Sequence, residues 1–115
     1  NLSQLRRISA LSDHKTNCHA AIIMKGGRVY GTGYNYGSTH AEVNAIWRAS
    51  RPNGGGPNSR RSLRGCTLIS FMYRRRSNTI GNSKPCPSCM DAIRLAGIRH
   101  IVYCDGNDFT SDTVN

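Results

Sequence analysis

The sequence predicts an α/β fold, a three-layer α/β/α sandwich around a mixed sheet, in one small domain spanning residues 1–115. Three observations predict it. Apolar strand-like runs alternate with helix-like segments in the order strand, strand, helix, strand, helix, strand. The glycine pair Gly26-Gly27 ties the first two strands into an antiparallel hairpin. Helices precede the third and fourth strands, which makes the later strands parallel.

Each element has its own signal. Leu2, Leu5, Ile8 and Leu11 recur at helical spacing and predict a short amphipathic opening helix. Ala20 to Lys25 reads as a buried strand, and Arg28 to Gly33 returns beside it. After the loop Tyr34 to Ser38, a helix runs from about Thr39 to Ser50, with Val43, Ile46 and Trp47 on one face and Trp47 in the core. Its start fits a capping box, Thr39-x-x-Glu42. An Arg/Gly-rich loop occupies residues 51–65, rich in turn residues and without periodicity. Thr67 to Tyr73 is the third strand, followed by a basic loop over 74–84. Pro85 opens the next helix, which stops near Gly97, a residue suited to the position after a helix end. His100 to Cys104 is the fourth strand, and residues 106–115 read as loop or tail. With ten residues left after Asp105, the fold is minimal at its C-terminal end, the chain is a fragment, or an oligomer completes the sheet edge.

Composition narrows the function classes. No apolar run is long enough to span a membrane, and the N-terminal residues lack the basic-then-apolar order of a signal peptide. Five cysteines, two of them in a C-x-x-C, suggest the cytoplasm or another reducing compartment with metal or redox use, not a disulfide framework. The net charge is +10, and from Val43 to Met90 there are nine basic residues and no acidic one. Such a surface either serves solubility or meets a polyanion, and arginine's planar fork suits phosphate. Arg60, Arg61, Arg74, Arg75 and Arg76 are the candidate phosphate or nucleic-acid contacts.

Two short segments carry chemistry. His40-Ala41-Glu42 contains the chain's single glutamate, and Pro85-Cys86-Pro87-Ser88-Cys89 contains the cysteine pair. Alone, the pair could be a redox couple, half of a structural zinc site, or two buried thiols. Cys18-His19 could complete a structural site, but adjacent ligands at a strand mouth are a poor geometry. Taken with His40, the pair offers one imidazole and two thiolates, three protein ligands that leave a fourth tetrahedral position open. Both segments open helices, whose positive ends favour thiolates. Bound zinc lowers the pKa of its water toward neutrality, and a neighbouring carboxylate can shuttle protons. H-x-E followed across a strand by P-C-x-x-C resembles the signature of zinc-dependent nucleobase deaminases.

With "GYN" closing the glycine-rich hairpin, then "HAEVNAI", "PCPSC" and "AGIRHIVY", residues Cys18 to Asp105 resemble the cytidine deaminase-like superfamily. The form His-Ala-Glu-x-Asn-Ala is most similar to its deoxycytidylate and riboflavin-pathway branches. Free cytidine deaminases usually carry Cys where His40 stands. The resemblance implies one zinc ion per chain held by His40, Cys86 and Cys89, with Glu42 as general acid/base. It also implies that the Ala41 N–H contacts the base carbonyl and that Asn35 contacts sugar or base. For Asn35 a plain turn role remains open, and Asn44 reads as part of a polar helix face.

The implied reaction is hydrolytic deamination of a cytosine moiety to uracil with release of ammonia. The partner is a cytosine-containing nucleotide or a single-stranded DNA or RNA. Adenine deamination of the tRNA type and a non-catalytic nucleic-acid-binding module are the alternatives. Self-association is a further expectation. Cys18, Cys66 and Cys104 read as small buried apolar groups, His14 as a loop residue and His100 as structural. Tyr103 and Phe109 are the aromatic candidates for the pocket mouth.

Overall fold

The computed structural model describes residues 2–14, 16–51, 61–106 and 108–114. Helix α1 (Leu2–Ser9) is followed by strands β1 (Asn17–Lys25) and β2 (Arg28–Tyr34), helix α2 (Ala41–Ala49), strands β3 (Thr67–Arg74) and β4 (Thr79–Ile80), helix α3 (Pro87–Leu95), and strands β5 (His100–Cys104) and β6 (Phe109–Thr113). One mixed sheet runs β2-β1-β3-β5-β6, with β4 added to the end of β3. The α/β sandwich is as predicted: α1 packs on one face of the sheet, α2 and α3 on the other.

The first turn behaves as its residues dictate. Gly26 and Gly27 take φ +57° and +81°, open to glycine without strain, so β1 and β2 pair antiparallel. The expected parallel order of the later strands holds only for β3 and β5. Strand β3 does run in the direction of β2, but it is inserted beside β1 and pairs with it antiparallel over eight residues, Asn17↔Arg74 through Met24↔Thr67.

The two faces of β1 divide the core. Ala20 and Ile22 pack with Leu5 of α1 and Phe71 of β3. Ala21 and Ile23 point the other way, into a cluster with Ala41, Ala45 and Ala49 of α2 and Ile93 of α3. The three alanines recur every fourth residue and make a smooth stripe that lies directly on the β2 backbone. Glycines opposite make this approach possible. A Cβ added to Gly33 would lie 2.4 Å from the Ala45 nitrogen and 2.5 Å from the Ala41 oxygen, and one on Gly31 would lie 2.7 Å from Ala49.

That seam overturns the expected helix face. Alanines line the sheet side of α2; of the predicted face Ile46 packs against that core, while Val43 is exposed and Trp47 lies outside the core at 54 % exposure. The helix also starts later than predicted. Its N-cap is His40, and Thr39 instead exchanges backbone hydrogen bonds with Tyr36, so there is no Thr39–Glu42 capping box.

The C-terminal tail is a strand. Residues 109–113 pair antiparallel with the whole of β5, His100↔Thr113 through Cys104↔Phe109. Gly106, at φ +110°, and the Asp105–Asp108 backbone bond make the turn. The side of β5 away from β3 is thus covered by β6. Gly97, at φ +89°, follows the Ala96 C-cap of α3 as expected. Cys18, Cys66 and Cys104 are buried. Among the described residues no helix is long and apolar enough to cross a membrane.

Candidate active site

Two helix N-termini converge to build the site. His40 is the N-cap of α2 and Cys86 the N-cap of α3, each with extended backbone and neither with its side chain capping its own helix. Pro87 fills the first position of α3, where its missing N–H costs nothing, and Cys89 follows two residues later in the first turn. The three side chains meet: His40 Nδ1 lies 3.7 Å from Cys86 Sγ and 3.2 Å from Cys89 Sγ. All three donor atoms lie within 4.8 Å of one another.

The spacing fits zinc. Bonds of about 2.0 Å to nitrogen and about 2.3 Å to sulfur at tetrahedral angles separate such donors by roughly 3.5 Å. The donor set, one imidazole and two sulfurs, is the borderline-soft kind that zinc prefers and leaves its fourth position free.

Glu42 lies one residue inside α2, 5 % exposed, and lines the same cavity as His40 and Cys86. Burial raises its carboxyl above the ordinary range, partly countered by a backbone N–H, the neighbouring His40 and a hydrogen bond with Cys89. The two thiols move in opposite directions. Cys86 is held below its usual value, first by the Ser88 hydroxyl 3.3 Å away. Cys89 is pushed well up by burial and then by the Glu42 charge.

The cavity has a volume of about 300 Å³, room for a pyrimidine base with part of its sugar. It is lined by His40, Ala41, Glu42 and Cys86 together with His14, Asn17, His19, Asn35, Thr39 and Lys84. Asn35 is neither a left-handed turn residue nor free of duties. Its Oδ1 accepts from the His19 N–H at 2.8 Å and its Nδ2 donates to the Asn17 carbonyl at 3.1 Å, pinning β2 to β1 at the cavity wall. Asn44, expected on a polar outer face, is buried and accepts from the Tyr34 N–H at 3.2 Å.

The loop that delivers Cys86 is fastened twice. Ser70 Oγ donates to the Ser83 carbonyl at 2.7 Å, and Ser83 Oγ donates back to the Ser70 carbonyl at 2.8 Å. Ser83 also exchanges bonds with the backbone of Cys104, accepting from its N–H at 2.8 Å and donating its own N–H at 2.7 Å. Three residues later the chain reaches Cys86.

The zinc-binding region model of the cytidine and deoxycytidylate deaminases matches residues 3–105. The chain belongs to this deaminase family. Solved structures of similar fold include the dCMP deaminase of cyanophage S-TIM5, 22 % identical, with TM-score 0.61 over 85 % of this chain and 74 % of that one. The cytidine deaminase of Burkholderia pseudomallei is 14 % identical, with TM-score 0.68 over 97 % of this chain and 88 % of that one. A diaminohydroxyphosphoribosylaminopyrimidine deaminase/5-amino-6-(5-phosphoribosylamino)uracil reductase of Thermotoga maritima is 24 % identical, with TM-score 0.55 over 85 % of this chain but only 26 % of that one. No curated protein matches the chain significantly.

Zinc is the metal of this deaminase family, and His40, Cys86 and Cys89 form its candidate site here. Several arginines singled out for phosphate are otherwise engaged. Arg75 donates to the carbonyls of Ala10, Ser12 and His14, fixing the loop after α1. Arg61 donates to the carbonyls of Ala49 and Tyr30 and stacks 3.9 Å over the Tyr30 ring. Arg74 and Arg76 are exposed, and Arg60 lies outside the described residues. Neither Tyr103 nor Phe109 lines the cavity of the deaminase.

Sequence reasoning considered His19 only as a poor partner in a structural zinc site, and gave Lys84 no site role; both line the cavity. Residue 19 shares the α2 side of β1 with Ala21 and Ile23, but an apolar run buried on both faces gives no alternation from which to read that side. Lys84 had a usable signal, its place directly before Pro85-Cys86.

Proposed function

We propose that the chain catalyses zinc-dependent hydrolytic deamination of a cytosine moiety, giving uracil and ammonia. The observation that carries this reading is the placement of the chain's single glutamate. A buried carboxylate that lines an open cavity together with His40 and Cys86 serves proton transfer and has no use in a purely structural metal site. That favours an enzyme over a non-catalytic binding module.

When bound, zinc supplies the Lewis acidity that makes water a competent nucleophile near neutral pH. The chain's own residues do the rest. Glu42 accepts a proton as water adds at C4 of the base, and delivers it to ring N3. It then takes the remaining water proton to the amine as the C4–N bond breaks and ammonia leaves. Its raised affinity for protons, caused by burial, suits a group that must hold one between steps. Ala41 opens α2, so its N–H has no partner within the helix and can hold the base carbonyl. Asn35 retains one N–H and one lone pair beyond its two backbone bonds, enough to orient sugar or base.

The test is an ammonia-release screen of the zinc-loaded protein. Cytosine and adenine nucleotides are tried beside single-stranded DNA and RNA at low and high salt. Release from a cytosine substrate, abolished in Glu42→Ala, supports the reading. Zinc-loaded protein that deaminates no cytosine substrate ends it.

A further inference from the structure

Val43 and Trp47 stand four residues apart on the outer side of α2, and Thr39 lies just before its His40 N-cap. With Tyr36 they line a second hollow, of about 260 Å³, and Thr39 is also a wall residue of the catalytic cavity. The two concavities therefore share a rim. Trp47 is 54 % exposed, Tyr36 42 % and Val43 40 %, an unusual amount of open apolar surface beside an active site.

Guanidinium groups frame this surface. Arg51 lies 5.0 Å from the centre of the Trp47 ring, and Arg48 lies 5.4 Å from that of Tyr34, whose ring in turn is 5.6 Å from Tyr36. Arg61 and Arg75 are engaged by backbone carbonyls, whereas Arg48 and Arg51 are exposed and lie against aromatic rings. The sequence has no acidic residue between Val43 and Met90, and the whole chain carries +10.

We infer that the outer face of α2 is a stacking platform for single-stranded nucleic acid, with bases on Trp47 and Tyr36 and phosphates on Arg48 and Arg51. Aromatic faces interleaved with arginine match the two components of a strand, flat bases and a charged backbone. A second copy of the chain is the competing occupant. It would bring the same arginines against each other with no acid to meet them. The reach is suitable as well. His40 to Trp47 is seven residues of helix, roughly 10 Å at about 1.5 Å per residue, so a base in the catalytic cavity leaves its neighbours over the platform. As a statement of substrate class this rests on the deaminase reading; as a binding surface it can be tested separately.

Trp47 is the only tryptophan, so its emission reports on the platform directly. Zinc-loaded Glu42→Ala protein, unable to turn over, is titrated with a cytosine-containing single strand and with the same strand as a duplex. The single strand is expected to quench the emission, with affinity falling steeply as salt rises. Trp47→Ala, followed by anisotropy of a labelled strand, should bind about tenfold more weakly or worse, and Trp47→Phe should recover most of the loss. Zinc content and melting temperature of both variants should match the parent. An Arg48→Gln/Arg51→Gln double variant should flatten the salt dependence.

Strand binding that leaves the emission untouched overturns the inference. So does an emission change driven by protein concentration alone, with a matching rise in molecular mass, which would assign the surface to a second copy. Quenching by the strand in a protein that deaminates nothing would retain the platform and remove the proposed reaction.

Discussion

His40 Nδ1 and Cys89 Sγ lie 3.2 Å apart although 49 residues separate them in the chain. The contact joins the first turns of α2 and α3, so an ion held there links the two helices as well as serving chemistry. Chelation is expected to lower the melting temperature and to remove one zinc per chain, read by elemental analysis. Cys89→Ser should weaken zinc binding at least tenfold. Unchanged thermal stability after full removal of the metal would contradict this linking role.

Glu42 contributes to chemistry far more than to folding. Glu42→Gln keeps the shape and loses the proton carrier, so turnover should fall by about 10²–10⁴-fold. Zinc content and the denaturation midpoint should hardly move. A variant that turns over within a few-fold of the parent would remove Glu42 from its proposed role.

The glycine seam under α2 sets the helix position. Gly33→Ala places a methyl group into the backbone of Ala41 and Ala45, and overpacking of this kind costs about 1–3 kcal/mol. Because α2 carries His40 and Glu42, activity should fall by more than the unfolded fraction explains. Urea denaturation and kinetics of the folded fraction separate the two effects.

Arg75 is a brace. Arg75→Ala removes hydrogen bonds to three carbonyls of the loop after α1 and should cost about 1 kcal/mol, since the site is open to solvent. The salt dependence of strand binding should keep its slope, because this guanidinium is not among the phosphate contacts. A flattened slope would reassign Arg75.

His19 makes folding sensitive to acid. Burial, then the nearby His40 and His14, depress its proton affinity below the ordinary value of 6.5. Above about pH 6.5 the ring is neutral in both folded and unfolded chains. Below it, the unfolded chain takes up a proton that the folded one resists, so stability declines as pH falls toward the depressed value. His19→Gln should reduce the difference between denaturation midpoints at about pH 7.5 and about pH 5.5. An identical difference in both proteins would assign the acid sensitivity elsewhere.

Much of the fold and the ligand trio could be read from the chain because each rests on local chemistry. Gly26-Gly27 can hardly do other than turn; the helix expected to open at Pro85 opens two residues later, at Pro87, with Cys86 as its N-cap. The start of α2 was misread because a Thr three residues before a Glu satisfies a capping box locally, while the Tyr36–Thr39 backbone pairing competes for that threonine. The core position expected for Trp47 rested on its place beside Ile46 in the helix. The exposure of that side chain follows from Gly31 and Gly33, residues of β2 that invite alanines and so turn Val43 and Trp47 outward. Strand β6 was missed because Phe109–Thr113 is polar and mostly exposed, an edge strand defined by its pairing with β5 and not by apolar alternation.

The reciprocal hold between Ser70 and Ser83 isolates what comes before it from what comes after. Insertions or exchanges between Arg74 and Ile80 end at a fastened point, so the displacement they cause is absorbed before the chain reaches Cys86. That outer segment can therefore be rewritten while the ion-holding frame behind it drifts little.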